Sequence, residues 1–599
     1  VSWIRGYDPG IVTETPLDKW HHLRGAILVS VLLAAFTGLA VRLFYLQVVA
    51  HDELVSKAQE QQKVRRSLQA RRGGIFDRLG RPLCVSVPAK SVYLVPKDVK
   101  PENVGRVAKV LAENLQLRDG ETRAGNARRL RDGMRKRRKK AFMWVRRLVS
   151  DGEAARVASL GLKCVHFRTE YRRDFPQGIT ASHLIGWTNV DEEGQEGLER
   201  IYERQLRGSD GFERLECDGL RRTRVTERTR VKPVVHGMSI QLTIDAEIQR
   251  VVAEALARAF CERRPISGTA IVMEVKTGRI LALANCPDYD PSRPASGDPK
   301  GKRRLNHAVC SRYEPGSIFK PFVMSGYIEA GLGRVDDTIF CENGLFRYRG
   351  RRLRDHHPFG YLSVSEILWK SSNIGMAKIG LELGIRRMYE TVCAFGFGST
   401  TGSGLPAENR GKVMPFGRWS YYTATSVPMG HEIEATPMQL ITAFNALANG
   451  GLLVKPQLVE SIADADGNVV EQFKGPEFSL RVVSEETART MLDPLLSGVI
   501  ERGTGRRANI GAYRKFGKTG TAQKVVDGRY SHSKFVSSFV CGAPLEDPRI
   551  TVLVLLDEPT VGVNFYGGTV AAPVAAHITE ETLKILHVPG GTFARREGT

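Results

Sequence analysis

Cysteine pairs at metal or redox spacing are missing from this sequence. The nine cysteines, Cys84, Cys164, Cys217, Cys261, Cys286, Cys310, Cys341, Cys393 and Cys541, are scattered, with no Cys-x-x-Cys and no zinc-ligand spacing. No metal site and no cofactor is expected. An odd number in an exported chain leaves at least one thiol unpaired within the chain, so the cysteines read as small buried hydrophobes without a disulfide. Collagen-like, mucin-like and Gln/Asn-rich tracts are also absent, and an apolar fraction of 42% is that of a folded protein. No zinc-finger, RNA-recognition or homeodomain pattern accompanies the net charge of +23. Nucleic acid is therefore not an expected partner, although "RKRRKK" (Arg135 to Lys140) lies among further arginines. A solvated basic edge is the commoner origin of such a run, with anionic lipid or cell-wall polymer as the alternative.

One long apolar run is present, "GAILVSVLLAAFTGLAV" from Gly25 to Val41, continued past Arg42 by "LFYLQVVA". Its uninterrupted part, about 17 residues, is near the lower limit for a bilayer span, and Arg42 can snorkel so that the helix continues to about Ala50. A single membrane anchor over 23–50 is expected, with 1–22 as a cytoplasmic tail. A buried core helix and a cleaved signal peptide are the other readings, the latter because Gly38-Leu39-Ala40 offers small residues at cleavage spacing. The length ahead of the run favours an uncleaved anchor. Flanking charge does not set the orientation, because Arg5, Lys19 and Arg24 precede the run while Lys57, Lys63, Arg65 and Arg66 follow it.

A chain of 599 residues predicts two to four units at roughly 100 to 200 residues each. Residues 51–235 are rich in Arg and Gly, with short apolar runs such as "SVYLVP" (Ser91 to Pro96) and helix-like stretches such as Asn103 to Leu115, and read as an irregular mixed α/β module. Residues 236–589 have the texture of a compact α+β enzyme, and 590–599 form a tail. The catalytic texture begins with a strand in "SIQLTID", a helix in "AEIQRVVAEALARAF" and a hairpin in "GTAIVMEVKTGRILALA". Lys276-Thr277-Gly278 sits at the turn of that hairpin, where Gly278 supplies positive φ and the other two residues can be solvated.

Three short motifs follow in order. In "YEPGSIFKPF", Ser317 opens an apolar helical pattern and Lys320 lies three residues on, so both fall on one face of the first turn. A serine hydroxyl needs an adjacent base, and a lysine serves if burial and a second cation lower its pKa. The helix start also leaves a free backbone N–H for an oxyanion. Ser-x-x-Lys alone usually means a capped helix. About 50 residues later come Ser371-Ser372-Asn373, and about 150 residues after those come Lys518-Thr519-Gly520, the order of the serine acyl-transferase constellation. "HEIE" (His431 to Glu434) is not His-Glu-x-x-His and is given no zinc role.

These motifs resemble those of the class B penicillin-binding proteins, and the resemblance covers nearly the whole chain. "RRGGIFDRLGRPL" (Arg71 to Leu83) is similar to the signature that opens the family's pedestal, and "HLIGWTNVDEEGQEGLE" (His183 to Glu199) to its second signature. "GHEIEATPMQLITAFNALANGG" (Gly430 to Gly451) and "YGGTVAAPV" (Tyr566 to Val574) also match. "SHLIGWTNVD" and "YGGTVAAPV" look most like the division-specific, septal branch. The resemblance implies an α+β transpeptidase domain, an antiparallel sheet flanked by helices, behind a membrane anchor and a dimerisation-type pedestal. It implies that Ser317 is the nucleophile, Lys320 its general base and Ser371 a proton relay. Asn373 would hold the substrate amide, Lys518, Thr519 and Gly520 would bind the donor's terminal carboxylate, and the backbone N–H groups of Ser317 and Thr521 would form the oxyanion hole. The implied substrates are peptidoglycan stem peptides ending in D-Ala-D-Ala, with β-lactams acylating the same serine. The implied setting is the inner membrane at the division site, with the catalytic part extracytoplasmic, a separate membrane glycan polymerase and other division proteins. His431 and Glu432 depart from the family's pattern, where a small or aromatic residue would be less surprising. Elongation- or sporulation-specific transpeptidases of the same class, and a D,D-carboxypeptidase, remain the alternatives.

Overall fold

Strands that are apolar on both faces need cover on both sides, and this requirement organises the catalytic half. The computed structural model describes residues 16–115, 121–217, 223–294, 298, 300–476, 479–561 and 565–590. Most of the expected tails, 1–22 and 590–599, therefore lie outside the described residues. Ser267–Glu274, Ile280–Cys286 and Ile550–Asp557 are buried along almost their whole length. They form a five-stranded antiparallel sheet in the order Ile280–Cys286, Ser267–Glu274, Ile550–Asp557, Arg529–Ala543 and Phe516–Val526. Alternate residues serve two cores. Ala270, Val272, Val552 and Val554 pack with Ile248, Val252 and Leu256 of helix Ala246–Arg263 and with Ala575 and Ile578 of helix Ala572–Ile585. Ile271, Met273, Leu553 and Val540 turn the other way, onto Ile441 and Phe444 of helix Pro437–Ala448 and onto Phe319 and Val323 at the start of helix Lys320–Glu329.

A second sheet joins the pedestal to the catalytic half. Its order is Val469–Gln472, Val459–Ala463, Ser239–Leu242, Ile75–Phe76, Pro82–Leu94 and Met143–Val149, with Val165–Asp174 also paired to Pro82–Leu94. The junction is a short parallel contact in which Ile75 faces Ile240 and Phe76 faces Gln241. Below it, Glu199 is fully buried between two guanidinium groups. Arg72 Nε donates to Glu199 Oε2 at 2.6 Å and Arg173 Nε to Glu199 Oε1 at 2.7 Å. Burial works to raise the Glu199 carboxyl, but the charges of Arg173 and Arg72 outweigh it and hold the group below the ordinary range. The two pedestal signatures thus meet through Arg72 and Glu199. Asp77 of the first accepts from Arg81 Nε at 2.6 Å and from the Ala246 N–H at 3.1 Å, which fixes the signature to the start of a catalytic helix.

Compactness divides the chain differently from a single boundary near residue 235. Residues 70–209 and 235–599 form one unit, and 1–69 with 210–234 form another. In the second unit helix Pro16–Phe44 runs on through a π-helical turn, Tyr45–Val49. Trp20–Val49 is long and apolar enough to cross a membrane, and it overlaps the expected span 23–50. Helix His51–Gln62 and an antiparallel sheet of Lys63–Leu68, Gly211–Cys217 and Thr223–Lys232 complete that unit. The eight cysteines whose side chains are described, all except Cys217, are free thiols. The run Arg135 to Lys140 lies fully exposed at and beyond the end of helix Arg123–Lys136.

Candidate active site

The Ser-x-x-Lys motif starts with a tighter turn than its periodicity predicts. Gly316–Phe319 is a 3₁₀ turn, and the α-helix begins only at Lys320. Such i→i+3 turns commonly tighten a helix start, and this one leaves Ser317 half-exposed while Lys320 is 0% exposed. The turn is held from below by the stretch that follows Gly430. The Gly316 N–H donates to the Gly430 carbonyl at 3.1 Å, and Tyr313 and Ala435 exchange backbone bonds at 3.2 and 2.9 Å. This contact accounts for the otherwise unexplained motif around Gly430.

Lys320 Nζ reaches into the second motif. It lies 2.7 Å from the Ser371 carbonyl, 2.9 Å from Asn373 Oδ1, 3.3 Å from the Ser372 carbonyl and 3.1 Å from Ser371 Oγ. Burial pushes this lysine down from 10.5 to about 7, against the pull of Asp355. A neutral amine has two protons and one lone pair. It can donate to the Ser371 carbonyl and the Asn373 amide oxygen and still accept a proton from the Ser371 hydroxyl. Ser371 itself sits at φ +56, a left-handed conformation that is uncommon for serine and costs about 1–3 kcal/mol where it is imposed.

The third motif arrives on the edge strand of the five-stranded sheet. Lys518, also 0% exposed, places Nζ 3.1 Å from the same Ser371 Oγ. Burial first, and then the Lys320 charge, push Lys518 well below its ordinary value. Thr519 Oγ1 is 2.8 Å from Thr504 Oγ1. A Cβ on Gly520 would stand 2.3 Å from Ser538 Oγ and 3.1 Å from Ile318 Cβ, so a larger residue would displace Ser538 and crowd the turn that carries Ser317. The Gly567 N–H donates to Thr521 Oγ1 at 3.0 Å, which gives the "YGGTVAAPV" segment its place beside the same strand. Ser317, Lys320, Ser371, Asn373, Lys518, Thr519, Gly520 and Thr521 all lie on these three neighbouring segments.

Several contributors were not singled out from sequence. Asp355 accepts from Ser372 Oγ at 2.6 Å, from the Ile374 N–H at 3.1 Å and from the Asn373 N–H. It therefore holds the start of helix Asn373–Leu383 in place. Its one sequence signal is that it is the single acid in "RYRGRRLRDHH", which says nothing of what it bonds. Asn373 Nδ2 donates to the Arg354 carbonyl at 3.2 Å, so both ends of the expected substrate-holding amide are engaged within the protein. His431 Nδ1 lies 3.0 Å from Glu314 Oε2, and the Glu432 N–H donates to Glu314 Oε1 at 2.9 Å. Burial works to raise Glu314, but its bonds to His431, Glu432 and Tyr530 outweigh it and keep the carboxyl below the ordinary range. The departure at His431 and Glu432 thus builds a local clasp on Glu314, three residues before Ser317. Among the described residues there is no cluster of His, Cys, Asp and Glu that could hold a metal ion.

Residues 268–580 match the penicillin binding protein transpeptidase domain, and residues 67–242 match the penicillin-binding protein dimerisation domain. The chain is 32% identical over 586 residues to peptidoglycan D,D-transpeptidase FtsI of Escherichia coli K12, covering 96% of this chain and 95% of the relative. It is 31% identical to stage V sporulation protein D of Bacillus subtilis 168, covering 91% of this chain and 83% of the relative. Among solved structures it is similar to penicillin-binding protein 3 of Mycobacterium tuberculosis complexed with aztreonam, at 26% identity and a TM-score of 0.67. That match covers 88% of this chain and 98% of the other. The chain belongs to the class B penicillin-binding proteins, peptidoglycan D,D-transpeptidases that work by serine acyl transfer.

Proposed function

We propose that Ser317 attacks the carbonyl between the last two D-alanines of a peptidoglycan stem peptide, with Lys320 as general base. The observation that carries this reading is the single hydroxyl, Ser371 Oγ, at 3.1 Å from both Lys320 Nζ and Lys518 Nζ. A lysine near pKa 7 is matched to proton transfer at neutral pH. Ser371, accepting from Lys518 and donating to neutral Lys320, is the path by which a proton returns to the departing D-alanine nitrogen. Lys518 and Thr519 take the donor's terminal carboxylate, which supplies the counter-charge that this buried lysine lacks. Asn373 exchanges its bond to Arg354 for one to the substrate amide. The N–H groups of Ser317 and Thr521 stabilise the oxyanion. An amine of a neighbouring stem peptide then takes the acyl group, giving a crosslink. β-Lactams acylate Ser317 by the same route.

The apolar helix anchors the chain as a single-pass protein of the inner membrane with its catalytic part outside the cytoplasm. Its work is crosslinking of the septal wall during division, beside a membrane glycan polymerase. The Ser182 to Asp191 and Tyr566 to Val574 segments support the septal role. A sporulation role is the second reading, favoured by the relative named for that process; a tagged chain imaged in dividing and sporulating cells separates them. Fluorescent penicillin labels the wild type covalently and fails to label Ser317→Ala. Labelling that persists in the variant overturns the assignment. A stem-peptide thioester donor offered with an amine separates transfer from hydrolysis, and hydrolysis alone makes the protein a carboxypeptidase.

A further inference from the structure

The hairpin of Leu345–Tyr348 and Arg351–Arg354 carries five arginines, Arg347, Arg349, Arg351, Arg352 and Arg354. Its register sets Arg347 directly opposite Arg352 and Leu345 opposite Arg354. Side chains alternate across the pleat, and the exposures follow. Leu345, Arg347, Arg352 and Arg354 face outward, while Leu353 is buried and Phe346, Tyr348 and Arg351 are half-buried. Like charges facing each other across two strands destabilise a hairpin. Natural surfaces usually intersperse acids. Here, among the described residues, none of Arg347, Arg349, Arg352 and Arg354 has a carboxylate within 4.0 Å. The one acid in the segment, Asp355, is turned inward onto Ser372 and Asn373.

The arrangement is fixed rather than loose. Arg351 Nη1 donates to Ser426 Oγ and to Thr425 Oγ1. The Arg349 guanidinium lies 4.4 Å over the Tyr421 ring, and the Arg349 carbonyl accepts from Tyr422 OH at 3.1 Å. The hairpin also runs directly into the catalytic segment, since the Arg354 carbonyl receives Asn373 Nδ2. An uncompensated, anchored cationic face one residue from the active-site asparagine calls for an anion that arrives with the substrate.

We propose that the outward face of the hairpin, Arg347, Arg352 and Arg354 with Arg349 at its turn, reads free carboxylates along the bound stem peptide. It thereby selects acidic stem peptides over those in which the same groups are amidated. The inference rests on the transpeptidase reading and names the substrate class for that site. Carboxylates fit better than a lone point charge would, because each guanidinium can present a planar fork to a carboxylate.

The test uses the full chain in detergent and two thioester donors that differ only in a side carboxylate against a carboxamide, with one common amine acceptor. Wild type is expected to transfer the carboxylate donor with a kcat/KM about fivefold higher, the scale of one or two exposed ion pairs, and the preference should shrink as ionic strength rises. Arg347→Gln with Arg352→Gln should abolish the preference, and Arg347→Lys with Arg352→Lys, which keep the charge without the planar fork, should restore only part of it. Penicillin labelling, measured in parallel, reports whether Ser317 and its neighbours are intact in each variant. Should the Gln variant fail to label, the salt dependence of the wild-type preference decides instead. Equal transfer of the two donors by wild type, or a preference insensitive to salt and to the Gln substitutions, overturns this inference and leaves the transpeptidase reading standing. Transfer of neither donor by a wild type that labels with penicillin overturns both.

Discussion

The chain contains Lys-Thr-Gly twice, and the two copies share nothing beyond the letters. In the first, Lys276 is exposed at a hairpin turn and Gly278 has φ +72. In the second, Lys518 is buried near the start of strand Phe516–Val526, whose register with Arg529–Ala543 sets Lys518 opposite Val540. Thr277 folds back on its own turn, bonding Glu274 and the Arg279 N–H. Thr519 reaches Thr504, fifteen residues upstream. Of the two residues expected to be solvated, Lys276 is exposed and Thr277 half-buried, while Gly278 packs closely, a Cβ there standing 2.6 Å from the Lys455 carbonyl. The turn is packed, and only its lysine is free to solvent. One tripeptide thus forms a turn where its flanks are paired with each other, and is the proposed carboxylate clamp where its strand borders two other motifs.

The sharpest separation should come from the lysines. Lys518→Ala is expected to cut penicillin acylation by about a thousandfold, the upper scale for losing a positioned electrostatic donor, while Lys276→Ala stays within a few-fold. Equal losses in a stopped-flow acylation assay would break the distinction. The glycines come next. Gly520→Ala drives a methyl into Ser538 and Ile318 and should slow acylation by about a hundredfold, since small displacements of reacting groups carry costs of that size. Gly278→Ala should leave acylation intact and lower the melting temperature, because both its φ and its space oppose a side chain.

A smaller effect follows from pH. In the proposed mechanism acylation needs neutral Lys320, so its rate should rise with pH to a half-maximum near 7 and fall about tenfold per unit below that. A profile flat between pH 5.5 and 8.5 would remove Lys320 as the base. The same group affects stability with a definite sign. Its folded value lies below the ordinary 10.5, so between about 7 and 10.5 the unfolded chain holds a proton that the folded chain does not. The contribution of Lys320 therefore makes the protein more stable as pH rises through that window, and Lys320→Met should remove this part of the slope in urea titrations. The smallest effect belongs to Thr277→Val, which loses the turn's internal hydrogen bonds. About 1 kcal/mol of stability is expected to go with them, with unchanged labelling.

The order of the three motifs was legible in the sequence because each is local, a few residues whose spacing survives without a structure. The two buried strands around the first Lys-Thr-Gly were legible from their apolar runs. What the sequence hid depends on contacts between distant segments. Asp355 acts on residues 17 to 19 positions away through a fold of the chain, and Thr504 lies in a Gly-Thr-Gly that looks like any other turn. The two-residue strand Ile75–Phe76 is too short to carry a period, so its union with Ser239–Leu242 was not foreseen. Of the network, Arg72 and Glu199 stood in two separate signatures and Arg173 in neither, with nothing in the sequence to say that the three meet.

That parallel contact between Ile75–Phe76 and Ser239–Leu242 has a practical consequence for handling the protein. A fragment begun at residue 236 would keep every catalytic motif, yet it would strip Ser239–Leu242 of its neighbour and bare a row of unpaired backbone donors and acceptors. An open edge of this kind is a template for pairing with other chains. The fragment would therefore be expected to associate edge to edge, whereas one begun just before Lys63 keeps Ile75–Phe76 beside Ser239–Leu242 and Lys63–Leu68 beside Gly211–Cys217.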